Sequence, residues 1–207
     1  TIYRILSNLL YLPIFIFFFL RLLFSKETLL SILQKFFLSK EKRPNGELIW
    51  INAVSIGESK TGIVIAEEIK KIKPNCIILF STSTITSYKL LNRIKKIFIV
   101  IFTPVDISFV IKSFIKYWKP NSVIFIESEI WPNIFSIVKN NSIKLTLLNA
   151  RISKKSFSNW TKFNFLSKSI FPLIDNCFVQ DKESIRRFKL LGVRNLSQME
   201  NLKFLSQ

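Results

Sequence analysis

The sequence carries two glutamates, Glu127 and Glu129, that flank a single residue directly after a short apolar run. Beside Trp131 and Pro132, two such carboxylates lose hydration and repel each other, and helix capping alone does not explain that cost. The chain contains no histidine, so a Ser-His-Asp triad, a histidine base and histidine-ligated zinc or iron are excluded. Any proton transfer falls to a carboxylate, lysine or tyrosine. The two glutamates are therefore a candidate acid–base site, and Arg151 is either their fixed ion-pair partner or a clamp for an anionic ligand.

Polar residues also follow the other apolar runs of the chain. In chain order they include Ser55, Gly57, Glu58, Thr84 and Asp106. Each has a structural interpretation, because an acid at the start of a helix interacts favourably with the helix dipole, and short polar side chains cap helices. The sequence contains neither a dinucleotide-binding glycine fingerprint nor a phosphate-binding P-loop.

The apolar runs predict strands that are buried on both faces of a sheet. They are short, rich in β-branched and aromatic residues, and lack polar alternation. The runs are Leu48 to Val54, Cys76 to Phe80, Ile97 to Phe102, Ser122 to Ile126, Lys144 to Leu148 and Asn176 to Val179. Helical spacing lies between them, most clearly over residues 107–118, with Asp106 as the expected N-cap and Pro120 just past the end. This alternation predicts a doubly wound parallel α/β domain with right-handed crossovers.

In such a sheet, ligands bind beyond the carboxyl ends of the strands. We therefore expect one rim of the sheet, around a cleft, to hold Glu58, Thr84, Asp106, Glu129 and Arg151. We also expect that rim to be partly apolar and exposed, as a surface that faces a second domain would be. Cys76 and Cys177 lie far apart in separate apolar runs, which excludes a disulfide framework and a four-thiolate metal site. Both are expected to be buried away from the cleft, Cys76 near the opposite end of its strand.

The first 25 residues predict a membrane anchor. From Ile5 to Leu20 the only polar side chains are Ser7, Asn8 and the Tyr11 hydroxyl, and Leu9 to Leu20 is apolar on every helical face. Only 16 residues separate Arg4 from Arg21, fewer than the roughly 20 of a spanning helix. A signal peptide and a buried core helix are the alternatives, and no small-residue cleavage site follows. We expect an uncleaved anchor over residues 1–25, spanning or deeply embedded, then a basic juxtamembrane segment and linker over 26–46 and a Rossmann-like domain over 47–207.

The net charge of the chain is +18, from 31 Lys and Arg against 13 Asp and Glu, while 49% of the residues are apolar. This composition excludes a disordered basic tail. A basic surplus suits nucleic acid, an anionic membrane or an acidic substrate, and biased nucleotide composition also produces it. Basic residues follow the apolar segment and only Arg4 precedes it, so the positive-inside rule predicts that the rest of the chain lies in the cytoplasm, with the basic cluster on anionic lipid headgroups.

The strand-end strings together resemble the N-terminal half of the 3-deoxy-D-manno-octulosonic acid (Kdo) transferases, glycosyltransferases that attach Kdo to lipid A during lipopolysaccharide assembly. The similarity runs in order over most of residues 48–204, and the string from Glu127 to Asn133 is its most specific part. The matching strings are Trp50 to Glu58, Thr82 to Thr86, Pro104 with Asp106, Glu127 to Asn133, Asn149 to Ser153, Arg187-Phe188 with Leu191-Gly192, and Asn201 to Phe204.

The resemblance implies a GT-B glycosyltransferase with two Rossmann-like domains, an inverting mechanism and no metal ion or other cofactor. The N-terminal domain takes a lipid A precursor, lipid IVA, and the C-terminal domain takes the donor CMP-Kdo. By motif position, Glu58 is the expected general base and Glu129 a second essential carboxylate. The residues expected to bind substrate are Ser55, Gly57, Thr84, Asp106, Glu127, Asn133 and Arg151.

The sequence departs from the family pattern at several positions. Asn52 stands where the family usually has histidine, and Ser87 and Glu200 stand where it has glycine. The sequence reaches Gln207 where the nucleotide-binding domain is expected to begin. We therefore expect the acceptor half of the enzyme, inactive without a C-terminal half that another chain supplies or that has been lost from this one. A non-catalytic membrane-anchored remnant is the alternative. A nucleic-acid-binding domain has charge in its favour but no recognition motif.

Overall fold

The computed structural model describes residues 2–93, 98–127 and 129–199. In these residues, seven parallel strands form one sheet in the order β3-β2-β1-β4-β5-β6-β7. The strands are β1 Leu48–Asn52, β2 Ile77–Thr82, β3 Ile99–Phe102, β4 Ser122–Ile126, β5 Lys144–Ala150, β6 Asn176–Val179 and β7 Leu196–Gln198. The predicted doubly wound parallel sheet is confirmed.

Helices connect the strands and cover the sheet. They are α1 Ile2–Leu9, α2 Tyr11–Leu23, α3 Leu29–Lys35, α4 Ile56–Ile72, α5 Ile85–Asn92, α6 Ser108–Trp118, α7 Pro132–Asn140, α8 Lys154–Lys162, α9 Asn164–Ile170 and α10 Lys182–Leu191, with a 3-10 turn over Phe171–Leu173. The aromatic rings of Trp50, Phe114 and Phe125 pack together under α6 and α7 on one face. On the other face, α4 packs close to β2, since a Cβ atom on Gly62 would lie 2.5 Å from the Phe80 ring.

The strand order creates a switch point in the middle of the sheet. From β1 the chain moves outward to β2 and β3, and α6 then brings it back to β4, which pairs with the other side of β1. The loops that leave β1 and β4 therefore diverge to opposite faces, which opens a crevice at the carboxyl edge. This topology brings the residues after Asn52 close to those after Ile126.

The predicted strand runs match the sheet with small shifts at their ends. β1 stops at Asn52, and β5 continues to Ala150. Ile97, at the start of the third predicted run, lies outside the described residues. The short edge strand β7 has no apolar run that sequence patterning could detect. Cys76 and Cys177 are both buried free thiols, and Cys76 directly precedes β2, at the end of that strand opposite the candidate site.

The apolar N-terminal segment forms two helices where we expected one anchor helix. Within the described residues, no single helix is long and apolar enough to cross a membrane, and the pair Tyr3–Leu9 and Tyr11–Leu23, bent by 51°, qualifies only together, by length and composition. Pro13 accounts for the break, because it lacks an N–H and its ring clashes with the carbonyl of Leu9, four residues earlier. A straight helix through Leu10 is therefore disfavoured.

Helix α2 lies against the domain along one side. Tyr11, Phe15 and Phe18 pack around the buried ring of Phe36, with ring centroids 5.6, 5.0 and 5.8 Å from it. The opposite side of the helix also carries large apolar side chains, and these are exposed. One side of α2 therefore packs against the protein core and the opposite side is exposed, although both sides are apolar.

The basic segment after α2 contributes to the packed structure. Thr28 and Ser31 form a capping box at the start of α3, and Ile32 and Phe36 join the core. Lys35 Nζ donates to Glu27 Oε1 at 2.7 Å and to Oε2 at 2.9 Å, and both side chains are buried. Burial lowers the pKa of Lys35, and Glu27 opposes that effect. Lys35 is therefore held inside the domain and does not face solvent.

Candidate active site

The loop between β1 and α4 fixes the carboxylate of Glu58. Ser55 caps α4, and its Oγ accepts a hydrogen bond from Glu58 N at 3.3 Å. In return, Glu58 Oε1 accepts from Ser55 Oγ and Oε2 accepts from Val54 N, each at 2.8 Å. Glu58 is 7% exposed. Burial raises the pKa of Glu58, while the Val54 and Ser55 donors oppose the rise.

The chain turns sharply out of the sheet after β4. Glu127 has a φ of 63°, a left-handed conformation that costs a residue other than glycine on the order of 1–3 kcal/mol. Its backbone N–H donates to Leu148 O of β5 at 2.8 Å, which holds the turn in place. Glu129 follows this turn; Ser128 lies outside the described residues. Backbone strain of this kind is concentrated at functional sites.

Glu58, Glu127, Glu129 and Arg151 line one cleft of about 270 Å³ at the carboxyl edge of the sheet. Burial raises the pKa of Glu129, and the neighbouring Glu58 carboxylate adds to the rise. Three carboxylates therefore lie around one small space. The structure thus brings together four of the residues that the sequence indicated.

This arrangement suits proton abstraction from a hydroxyl group. A general base needs a fixed position and a pKa raised towards the working pH, and burial supplies both to Glu58. The exposed Arg151 side chain adds a positive charge to the same cleft. Among the described residues there is no group of three or more Asp, Glu or Cys side chains placed to hold a metal ion. The carboxylates of the cleft are groups that can accept and donate protons.

Asp106 and Asn133 lie in a different cluster, between α1 and α7. Asp106 Oδ2 accepts from Tyr3 Oη at 2.9 Å and from Asn133 N at 3.1 Å, and Oδ1 accepts from Ile134 N at 2.9 Å. Asn133 Nδ2 donates to Ser7 Oγ at 2.9 Å and to the Asp106 carbonyl. Asp106 thus caps α7, and the prediction that it caps α6 was wrong: Ile107 is the N-cap there. Neither residue lines the carboxylate cleft, so the five expected rim residues do not share one cavity.

Three further predicted residues belong to helix starts. Ser55 caps α4, and Thr84 Oγ1 caps α5 by accepting from Ser87 N at 3.2 Å. Ser87, one of the departures from the family pattern, is buried in that cap and binds the Thr84 hydroxyl. Gly57 lies in the first turn of α4 with no atom within 4 Å of the position a Cβ would occupy. The space beside Gly57 is therefore open to a ligand.

A buried polar network lies behind the site and was missed by the sequence analysis. Asn52 Oδ1 accepts from Ser81 Oγ at 2.8 Å and from Thr103 Oγ1 at 2.7 Å, and Trp50 Nε1 donates to Ser81 Oγ at 2.7 Å. These groups tie the carboxyl ends of β1, β2 and β3 together. Asn52, which replaces a family histidine, is fully buried. Glu200 and the string from Asn201 to Phe204 lie outside the described residues.

Ser153 and Ser156 also line the cleft and were not predicted as site residues. Ser153 caps α8 by accepting from Ser156 N at 3.1 Å. A spacing of three residues at the start of a helix is the signal that links them, because it places both hydroxyls at the N-terminus of α8. Neither this cap nor the cleft that it faces was predicted from the sequence.

Comparison with known proteins places the chain among sugar transferases. Residues 31–206 match a family model described as 3-deoxy-D-manno-octulosonic-acid transferase (kdotransferase). The 3-deoxy-D-manno-octulosonic acid transferase of Rickettsia bellii is 35% identical over 208 residues, which covers 100% of this chain and 49% of that protein. The same enzyme of Rickettsia typhi is 36% identical over 82% of this chain and 37% of its own length. The chain therefore spans half or less of these curated relatives.

Solved structures show the same fold. A UDP-N-acetylglucosamine 2-epimerase superposes with a TM-score of 0.56 over 76% of this chain and 49% of the epimerase, at 8% sequence identity. At that identity the likeness concerns the fold alone. It agrees with a Rossmann-like parallel sheet, here matched by about half of the epimerase chain.

Proposed function

Because the chain belongs to the Kdo transferase family, we propose that its carboxylate cleft activates a hydroxyl group of a lipid A precursor, lipid IVA, for transfer of Kdo from CMP-Kdo. One observation carries this proposal: a buried glutamate with a raised pKa is fixed at the switch point of the sheet, in a cleft with two further carboxylates. Of the sequence hypotheses, this convergence favours the glycosyltransferase over a non-catalytic remnant, for which the carboxylates need not meet.

Glu58 takes the acceptor proton in the proposed reaction. The hydroxyl oxygen of the acceptor forms a bond to the anomeric carbon of Kdo as its proton passes to Glu58, and the bond between that carbon and the CMP phosphate oxygen breaks. CMP leaves with the electron pair, so the reaction is balanced without a metal or redox cofactor. Ser55 and Val54 keep the carboxylate aimed into the cleft, and the space beside Gly57 accommodates the sugar.

Glu129 and Arg151 position the acceptor in this scheme. Since the pKa of Glu129 is also raised, Glu129 retains a proton to higher pH than an ordinary glutamate and can share it with a sugar hydroxyl. Arg151 interacts with a phosphate of the acceptor, for which a guanidinium is well suited. Glu127 shapes the turn that brings Glu129 into the cleft, and its charge adds to the raised pKa of Glu58.

A second domain supplies the donor site in this proposal. The residues described form one doubly wound sheet, and the relatives are at least twice as long as the matched region. We expect that residues 1–207, expressed by themselves, transfer no Kdo, and that a donor-binding half restores transfer. That half is either a further part of the same protein or a separately encoded partner.

We also propose that the protein acts at the cytoplasmic face of the inner membrane. One apolar stripe along α1 and α2 is exposed, with residues three and four apart as on one helix face. It consists of Ile5, Leu9, Leu12, Ile16, Phe19 and Leu23. Phe109 of α6, which is also exposed, contacts Tyr11 of α2, and the exposed Lys112 and Lys116 follow Phe109 on the same side of α6. An amphipathic surface of this kind lies in the plane of an anionic bilayer.

The substitution Glu58→Gln tests the catalytic assignment. Residues 1–207 are supplied with the donor-binding half of the Rickettsia bellii relative, and transfer from CMP-Kdo to lipid IVA is measured. Loss of the base lowers the rate about 10²–10⁴-fold, with no loss of thermal stability. Glu67→Gln, in an exposed position of the same helix, is the matched control and keeps full activity. Equal rates for the two variants would remove Glu58 from the mechanism.

A further inference from the structure

A second cavity, of about 590 Å³, lies between the N-terminal helices and the loop that follows β3. Most of its walls are apolar, and a single site of this size accommodates a small molecule or a hydrocarbon chain, since typical ligand cavities measure roughly 300–1,000 Å³. Its principal apolar lining residues are Leu6, Leu10, Ile14, Phe17, Val105 and Trp131. The cavity is separate from the carboxylate cleft but lies at the same edge of the sheet.

The polar side chains at the cavity wall already have partners within the protein. Tyr3 donates to Asp106. Lys35 donates to Glu27, which also accepts from Ser31 at 2.6 Å. Because these groups are engaged with each other, the surface that they leave for a ligand is apolar. The chemistry of the walls therefore favours a hydrocarbon over a polar molecule.

The cavity opens to the outside of the protein at the N-terminal helices. Leu6, Leu10 and Phe17 line the cavity and are also 52%, 50% and 55% exposed. These residues lie on a different face of α1 and α2 from the exposed apolar stripe, since helical residues are rotated by about 100° per position. Arg21 also lies at the wall, with its side chain 38% exposed and its Nε 3.4 Å from Glu27 Oε1, so it belongs to the ion-pair cluster of Glu27 and Lys35.

Trp131 connects the cavity to the carboxylate cleft. Its indole is half-buried and lines the cavity, and Glu129, two residues earlier, lines the cleft. The indole faces the Glu129 carboxylate closely enough to oppose the rise in the pKa of Glu129, although its N–H lacks a well-formed hydrogen bond. A ligand that fills the cavity thus ends near Glu129, at one side of the carboxylate cleft.

We propose that this cavity binds one acyl chain of the lipid acceptor. The inference rests on the proposed function, because it takes the acceptor to be a lipid. It adds a specificity site: the cavity holds the chain, Trp131 marks its inner end, and the attached sugar lies in the carboxylate cleft. Lipids of the bilayer share the hydrocarbon but have no headgroup that reaches the cleft, so the acceptor is the assigned occupant.

Quenching of tryptophan fluorescence tests occupancy in residues 1–207 without any donor. The probe is a monoacyl phospholipid with two bromines at mid-chain, used below its micelle concentration. Bromine quenches only tryptophans in near contact. Trp50 and Trp118 are fully buried in the core, and the half-buried Trp160 lies in α8, outside the lining of this cavity. We expect saturable quenching that Trp131→Phe abolishes. Unbrominated lipids should compete with the probe. A lipid whose chain is two methylenes shorter should compete roughly tenfold more weakly than the lipid of full length.

Competition identifies the occupant. An acylated, phosphorylated disaccharide should restore the fluorescence at lower concentration than a bilayer glycerophospholipid does, and the deacylated disaccharide should have no effect. Ile14→Phe fills the cavity and should weaken probe binding at least tenfold. Leu12→Phe makes the same size change on the exposed side of α2 and should leave probe binding unchanged.

Each alternative result has a separate meaning. Quenching that survives Trp131→Phe, or equal binding by the Ile14→Phe and Leu12→Phe variants, would overturn the cavity assignment. Displacement by glycerophospholipid as readily as by the acylated disaccharide would assign the cavity to bilayer lipid and reject the acceptor. Failure of the proposed function is distinct: transfer would be missing in the presence of the donor half while acyl binding to Trp131 remained.

Discussion

Asp106 and Glu58 both follow a strand at the carboxyl edge of the sheet, both lie at the start of a helix, and burial raises the pKa of each. Their surroundings differ. Asp106 is enclosed by α1 and accepts from Tyr3, Asn133 and Ile134, whereas Glu58 accepts from two donors and opens onto a cleft. The same sequence feature, an acid after an apolar run, becomes a structural cap where another element covers it and a candidate base where none does.

The largest effect on folding is expected from Asp106→Ala. The substitution leaves two backbone N–H groups at the start of α7 and the Tyr3 hydroxyl without their acceptor, which costs about 3 kcal/mol of unfolding free energy. Denaturant unfolding measures this loss. Asp181→Ala removes the half-exposed cap of α10 and should cost only about 1 kcal/mol. A similar cost for both would mean that α1 does not close the Asp106 cluster.

The outer surface of α1 and α2 should affect membrane binding without affecting folding. The double substitution Leu12→Glu and Phe19→Glu places charges in the exposed apolar stripe and should lower affinity for anionic vesicles at least about tenfold. Sedimentation with vesicles at low and high salt measures it, and binding of the unaltered chain should survive high salt. Leu190→Glu, on an exposed apolar residue of α10, is the control. If the double substitution lowered the unfolding free energy as much as Asp106→Ala does, this surface would be packed against the protein.

Glu129→Gln should stabilise the protein at neutral pH, by about 0.5–2 kcal/mol. The raised pKa of Glu129 means that the folded state holds its proton to higher pH than the unfolded chain. Stability of the unaltered protein therefore falls as pH rises from about 4.3, the ordinary glutamate pKa, to the raised folded value, and the cost is full above that value. Thermal unfolding across pH should show a flatter profile for the variant, with the gain absent below the unfolded pKa. Glu67→Gln should leave the dependence of stability on pH unchanged. If the stability of the unaltered protein did not vary with pH in this range, the raised pKa of Glu129 would be contradicted as the cause.

The smallest effect is expected from Tyr3→Phe. It removes one hydrogen bond to Asp106 but leaves the two backbone donors and the apolar ring, so the loss should be about 1 kcal/mol. Combined with Asp106→Ala it should add little, since the two residues share one interaction. Full additivity in a double-mutant cycle by denaturant unfolding would separate Tyr3 from the Asp106 cluster.

Sequence patterning predicted the parts of the fold in which local pattern and tertiary packing agree. Runs such as Ser122 to Ile126 are apolar because both faces of a central strand are covered, so they are visible without a structure. The edge strand β7 is short and polar and gave no such signal. The break between α1 and α2 was missed because the segment is continuously apolar. The signal for the break, Pro13, is visible in the sequence.

The candidate site was predicted in part for a comparable reason. The cost of placing Glu127 and Glu129 together is visible in the sequence, and the family resemblance drew attention to Glu58. The sequence could not separate these acids from Asp106, since all are suited to a helix start. It also gave no sign of the polar network around Asn52 or of the cavity beside Trp131, which form from residues distant in the chain.

The sequence by itself determined the alternation of strands and helices, the absence of histidine chemistry and the family to which the chain belongs, because these depend on residue type and spacing along the chain. The tertiary structure decided which acids have their oxygens occupied by another helix and which line the carboxylate cleft, and which side of α2 meets the core. Those outcomes depend on how distant elements pack: the switch between β1 and β4 opens the cleft beside Glu58, whereas α1 and α7 supply the donors to both carboxylate oxygens of Asp106. The burial that raises the pKa of both acids follows from this packing, which no local pattern specifies.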